Sequence, residues 1–175
     1  MHTDLSSFII DDRSHGNLVN NSGTQWRAVS DTVMGGISHG ALQATVVDGK
    51  PCLRLTGNVS LENNGGFVQA SLDLSNEGLL DAHAYQGIEI EVFGNDQDYN
   101  LHLRTADTRI VWQSYRAGFH ATPSWQNFVI PFDNFSPHRI DQPLNTSRLL
   151  RLGVVAIGRQ MQVDVCIGRI ALYKK

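Results

Sequence analysis

From Ala41 onward, apolar residues recur at every second position: Leu53 and Leu55; Val68, Ala70, Leu72 and Leu74; Ile88, Ile90 and Val92; Tyr99, Leu101 and Leu103. A period of two belongs to an extended chain whose successive side chains point to opposite faces, so each run predicts a strand with one buried face. Asp48-Gly49, between the run that ends at Val47 and the one that begins at Cys52, has the chemistry of a tight hairpin turn. Strands of about five to nine residues separated by turn signals predict an all-β, mostly antiparallel sandwich or jelly roll. Near the C-terminus Val163, Val165 and Ile167 alternate in one phase and Ile170 and Leu172 in the other. A bulge at Gly168 would restore one inward face. Short helical turns are expected only within 75–85 and 145–150.

The 175 residues suit a single domain over 1–175, with a core from about Phe8 to Tyr173. A hydrophobic share of 41% and a charged share of 18% indicate neither a disordered chain nor a membrane protein. A net charge of -3, with no run of Lys and Arg, argues against nucleic acid as a partner. Met1 to Asp12 lacks a basic segment followed by an apolar run, and Asp4, Asp11 and Asp12 are unlike a mitochondrial transit peptide. The expectation is a cytoplasmic protein without a transmembrane segment. Cys52 and Cys166 are far apart and show no C-x-x-C spacing, so they are expected to be reduced structural thiols; a disulfide across the sandwich is the alternative.

Parity also places polar residues. If Leu101 and Leu103 point inward, Asn100, His102 and Arg104 point outward, as do Gln69, Ser71 and Asp73 on their own strand. Such a face is ordinarily solvated; its functional reading is a recognition surface. Trp112 and Tyr115 fall on opposite parities of 110–116, so at most one of them is expected to face inward and the other is free to stack on a ligand or partner. Gln69, Asn100, His102, Arg104 and the outward member of the Trp112/Tyr115 pair form the candidate binding face. Arg104 can make planar, forked contacts there. Trp26 and Trp125 are expected in the core, under the sandwich edge.

Other chemistries find little support. The seven histidines show neither H-x-x-x-H nor a compact cluster with carboxylates, so no metal site is expected. Asp96-x-Asp98-x-Asn100 imitates a calcium loop, but Leu101 stands where the loop needs Gly, and 95–98 is better read as a turn. There is no G-x-S-x-G elbow, and Ser38 beside His39 does not make a catalytic pair. Glu89 and Glu91 share a solvated strand face. Gly35-Gly36 and Gly65-Gly66 lack the Lys and the strand-to-helix setting of a phosphate loop. Neither catalysis nor a cofactor is expected.

One local pattern is specific. Trp26, Asp31, Met34, Gly35, Gly36 and Ser38, followed by Asn63-Asn64-Gly65-Gly66-Phe67, resemble in order and spacing the signature of the complex I intermediate-associated protein family. Tyr99 to Thr105, Tyr115 with Phe119, and Trp125 with Pro131, Phe132, Phe135 and Pro137 resemble its later blocks. The resemblance implies a galactose-binding-domain-like β-sandwich without catalytic activity. It also implies protein partners, namely subunits or assembly intermediates of the respiratory NADH:ubiquinone oxidoreductase. Sandwiches of this kind also hold sugars, so a carbohydrate- or small-ligand-binding module is the alternative. From the residues themselves, the signature reads as structural support: Asp31 is expected to accept hydrogen bonds from nearby amides, and Gly35 or Gly36 to hold a backbone conformation unfavourable to other residues.

Overall fold

The alternating runs become strands of two antiparallel sheets in the computed structural model, which describes residues 7–62 and 66–174, the side chains of Val33 and Met34 excepted. The strands in chain order are β1 (Ser7–Asp11), β2 (Arg27–Ser30), β3 (His39–Val47), β4 (Lys50–Val59), β5 (Phe67–Asp73), β6 (Gly87–Phe93), β7 (Gln97–Thr105), β8 (Ser114–Ala121), β9 (Gln126–Pro131), β10 (Ser136–His138), β11 (Leu149–Ile157) and β12 (Met161–Tyr173). The first sheet has the order β3-β4-β12-β6-β9, with β1 also paired to β12. The second has the order β10-β8-β7-β11-β5-β2. Short 3-10 turns lie at Asp31–Met34, Phe132–Asn134 and Thr146–Arg148.

The inward residues of the two sheets interlock into one core. Leu53, Leu55, Ile88, Ile90, Val165 and Ile170 come from the first sheet, and Val68, Leu72, Tyr99, Leu101, Leu103, Leu152 and Val154 from the second; all are buried. Removing each such aliphatic side chain from water is worth about 1.5–3 kcal/mol. Tyr99 carries a hydroxyl into this layer, and its partners make that tolerable: it donates to Asn95 Oδ1 at 2.7 Å and accepts from the Asp164 amide at 3.0 Å, tying the second sheet to β12. Burial pushes its pKa up to about 12.

Asp48 and Gly49 both adopt left-handed φ, 49° and 79°, which is the backbone of a two-residue hairpin matched to strand twist. β12 changes register against β6 between Ile167 and Ile170, so the bulge lies where the two alternating phases meet. Trp26 is core, and its Nε1 donates to Asp11 Oδ2 at 2.8 Å. The same carboxylate pairs with the buried Arg13 at 2.6 Å.

Two expectations change. Trp125 is half-buried on the outer face of the first sheet and not in the core: its ring meets Phe93 edge-on at 5.8 Å, its Nε1 donates to the Val47 carbonyl, and Lys50 Nζ lies 5.2 Å above it. The cause is parity, because Phe93 follows the inward Val92 and so points out, and Trp125 covers it. Cys52 and Cys166 are free and buried, but both lie on that outer face, on adjacent strands. A disulfide spanning the sandwich is therefore geometrically excluded. Burial pushes the Cys166 thiol up to about 12.

Candidate functional site

The signature residues build a knot around one carboxylate. Asp31 ends β2 by entering a 3-10 turn, and its buried side chain meets a chain segment from each side. Oδ1 accepts from the Ser38 amide at 2.9 Å; Oδ2 accepts from Ser38 Oγ, from the Gly66 amide at 2.6 Å and from the Phe67 amide at 3.2 Å. Ser38 Oγ in turn accepts from the Ser60 amide at 2.8 Å. Burial pushes the Asp31 carboxyl upward, yet the hydrogen bonds from Ser38, Gly66 and Phe67 outweigh it and hold the pKa below the ordinary carboxylate value. Gly35 closes the turn with φ 87°, a left-handed conformation that side-chain-bearing residues avoid, and the Gly36 amide donates to the Asp31 carbonyl at 2.9 Å. Asn63, Asn64 and Gly65 lie outside the described residues, as does the Met34 side chain. The knot fixes the start of β5, where Phe67 enters the second sheet.

The outer face of that sheet is where the polar residues converge, and the register orders them in rows. One row runs His138, Ser114 on β10 and β8, then Arg104, Arg151 and Asp73 on β7, β11 and β5. The next runs Arg116, His102, Gly153, Ser71 and Arg27 across β8, β7, β11, β5 and β2. A third runs Gly118, Asn100, Val155, Gln69 and Val29. Most residues of these rows, together with Phe67, Ile157 and the loop that precedes β8, line a groove of about 430 Å³, with Asp73, Asn100, Gly118 and His138 beside the lining. Gly153 shapes its floor: a Cβ there would stand 2.4 Å from Gln69 Oε1, so the Gln69 side chain lies across the glycine.

The loop 106–113 forms one wall and is held by its own hydrogen bonds. Gln113 Oε1 accepts from the amides of Arg109 and Ile110, and Thr108 Oγ1 donates to the Thr105 carbonyl. Arg104 braces it, with Nε donating to Thr108 Oγ1 at 3.3 Å and Nη2 to the Ile110 carbonyl at 3.2 Å. The loop leaves Val111 and Trp112 half in solvent at the groove's edge, 52% and 51% exposed.

Of the expected face, Gln69, His102, Arg104 and Trp112 line the groove; Asn100 shares the sheet face but lies beside the lining. Tyr115 must be removed from it. Its ring is fully buried inside the sandwich, and its hydroxyl donates to the Gln142 carbonyl at 2.7 Å. β8 begins only at Ser114, so Trp112 owes its exposure to the loop and not to strand parity. Arg27, Arg116, Arg151 and Gly153 are additions. The inward Tyr115, Ala117 and Phe119 would have marked Arg116 as outward; no local signal brings it beside His102.

The groove is electrically one-sided. Four arginines line it, Arg27, Arg104, Arg116 and Arg151, and Asp73 at its margin pairs with two of them, Arg151 at 2.7 Å and Arg27 at 3.4 Å. Arg104 and Arg116 have no acidic partner among the described residues. Burial lowers the pKa of both guanidinium groups, assisted by Arg151 at Arg104 and by Arg139 at Arg116. His102 is pushed down to about 3, chiefly by burial and then by Arg116, so it is a neutral imidazole, and its buried Nε2 has no hydrogen-bond partner among the described residues. Basic residues that are scattered in sequence thus cluster through strand pairing. Among the described residues no group of three His, Cys, Asp or Glu could hold a metal ion, and no helix is long and apolar enough to cross a membrane.

The sequence model of the family described as complex I intermediate-associated protein 30 matches residues 17–164. No curated protein matches the chain in sequence. Among solved structures, the family 11 carbohydrate-binding module of the cellulosomal cellulase Lic26A-Cel5E of Clostridium thermocellum is similar over 99% of this chain and 97% of its own, with a TM-score of 0.76 and 12% identity. The family 11 module from Clostridium thermocellum in complex with a β-1,3-1,4-mixed-linked tetrasaccharide is similar over 98% of both chains, with a TM-score of 0.75 and 11% identity. The family 30 module of the Clostridium thermocellum cellulase Cel9D-Cel44B matches over 98% of this chain and 99% of its own, with a TM-score of 0.70 and 17% identity. These likenesses identify the fold as a galactose-binding-like β-sandwich.

Proposed function

Because the chain belongs to the complex I intermediate-associated protein 30 family, we propose that it is a non-catalytic binding module that assists assembly of a protein complex, with the groove on the second sheet as its interaction surface. The observation that carries this reading is the groove itself. It gathers Arg104, Arg116 and the exposed Trp112, and arginine and tryptophan are the residues that most often anchor interfaces. Binding suits it better than turnover: no carboxylate is among its described lining residues, and His102 is neutral with no hydrogen-bond partner for Nε2 among the described residues. Within this reading, the partners are subunits or intermediates of the respiratory NADH:ubiquinone oxidoreductase, as the family description suggests.

The test is affinity purification of the tagged protein from its native cell, beside the Trp112→Ala variant. Recovery of respiratory-complex subunits with the wild type, and their loss with a folded Trp112→Ala protein, is expected. Equal recovery with both would remove the groove from the account. A second reading, sugar binding, draws on the shared fold with the tetrasaccharide-bound family 11 module. Titration with that mixed-linked tetrasaccharide separates the two, since saturable binding lost in Trp112→Ala would favour the sugar.

A further inference from the structure

Resting on the reading of the groove as an interaction surface, we propose that its ligand is an extended acidic peptide segment that carries apolar residues next to its carboxylates. Three observations lead there. First, Arg104 and Arg151 stand directly opposite each other in the β7–β11 register. Like charges in that position repel, and Asp73 compensates only Arg151, at 2.7 Å, so Arg104, which has no acidic partner among the described residues, is satisfied by an anion laid beside it. Second, Arg116 Nη1 and Nη2 have no protein partner among the described residues, because only its Nε is engaged, by Ser114 Oγ at 2.8 Å. A free guanidinium fork in a half-buried groove is shaped for a planar carboxylate. Beside it, the unpartnered His102 Nε2 offers one further polar contact.

The third observation selects the class of anion. The lining follows β11 from Arg151 to Ile157 and β5 from Ser71 to Phe67, and it changes character on the way. The two rows holding Arg104, Arg151, Arg116 and Arg27 are basic; beyond them Val29, Val155, Ile157 and Phe67 are apolar. A ligand lying along the strands must therefore present carboxylates at one end and apolar groups about 13 Å further on, the rise of four extended residues. An extended polypeptide does this naturally, because alternate side chains fall on one face at about 7 Å intervals and so keep step with the rows of the sheet. An acidic polysaccharide repeats its charge and hydroxyls along its length and offers nothing to the apolar half. Nucleic acid fits no better, since it would place phosphates over Val155 and Ile157, and no lysine is among the groove's described lining residues.

The probe is a fluorescein-labelled peptide in which Glu, Glu, Leu and Leu occupy successive alternate positions with Ser between them. Its companions are the same peptide with Gln for Glu, polygalacturonate and oligouridylate. The Glu peptide is expected to bind the wild type and to weaken steadily with added salt. Binding should fall at least about tenfold on changing Glu to Gln in the peptide, and by a similar factor in Arg116→Gln, whose melting temperature is checked against the wild type. Absence of Glu-peptide binding, indifference to Glu or Gln, or tighter capture of polygalacturonate or oligouridylate would overturn the acidic-peptide assignment. If the Glu peptide fails while Trp112→Ala still loses the native partner, the groove survives as the interaction surface and only its proposed chemistry falls.

Discussion

Asp31 and His102 show the two ways in which a single ionisable group shapes this protein. The Asp31 carboxylate accepts from both Ser38 donors and from the amides of Gly66 and Phe67, so Asp31→Asn replaces an acceptor oxygen with a donor that repels them. A loss of about 3 kcal/mol is expected in denaturant unfolding. Gly35→Val should lose about 1–3 kcal/mol through its left-handed φ. Because the folded pKa of Asp31 lies below its unfolded value, its contribution is complete above the unfolded pKa near 4 and is lost as pH falls through the folded one. His102 acts in a higher window. Its pKa is about 6.5 unfolded and about 3 folded, so the unfolded chain binds the extra proton between those values and stability declines as pH falls from 6.5 towards 3. Urea midpoints measured across that range should slope for the wild type and lose part of the slope in His102→Gln; parallel curves would show that His102 is not the group responsible.

Among the elements, β11 matters most to the groove, and Gly153 at its centre offers the cleanest intervention. A Cβ placed there stands 2.4 Å from the flexible end of Gln69 and 3.4 Å from Val155 Cγ2, so Gly153→Leu should displace Gln69 and fill the groove while the strand pairing persists. Capture of the partner should fall sharply, with a change in stability within about 1 kcal/mol; a collapse in melting temperature would mean that the glycine serves the fold. Arg104→Ala should be less clean, because Arg104 braces the loop through Thr108 and Ile110 and its removal frees Trp112 as well. The elements were the most legible part of the chain. Ile88, Ile90 and Val92 declare β6, Asp48-Gly49 declares its hairpin, and the phase change at Gly168 declares a bulge, since each signal is contained within a few consecutive residues. Tyr115 and Trp112 show the limit. Reading 110–116 as one strand put both on a sheet, whereas the loop's hydrogen bonds to Gln113 end the extended chain before Ser114.

At the scale of the molecule, the two outer faces differ in kind. Beyond the first sheet, Trp125, Phe93 and Lys50 cover one another, and Cys52 and Cys166 are buried beneath, whereas the second sheet leaves four arginines around an open groove. Half of that site could be read from sequence, because Gln69, His102 and Arg104 follow from parity within their own strands. Arg116 and Arg151 could not be joined to them, because β7 lies between β8 and β11, and β11 lies between β7 and β5, an order that no periodicity records. The asymmetry supplies the most direct test that binding occurs on the second sheet. A photoactivatable cross-linking residue is placed in the native cell at position 112, on the groove's edge, or at position 129, where Val129 is 53% exposed on the first sheet. Adducts to a protein partner from position 112 and none from position 129 are the predicted result; adducts from position 129 alone would contradict the account.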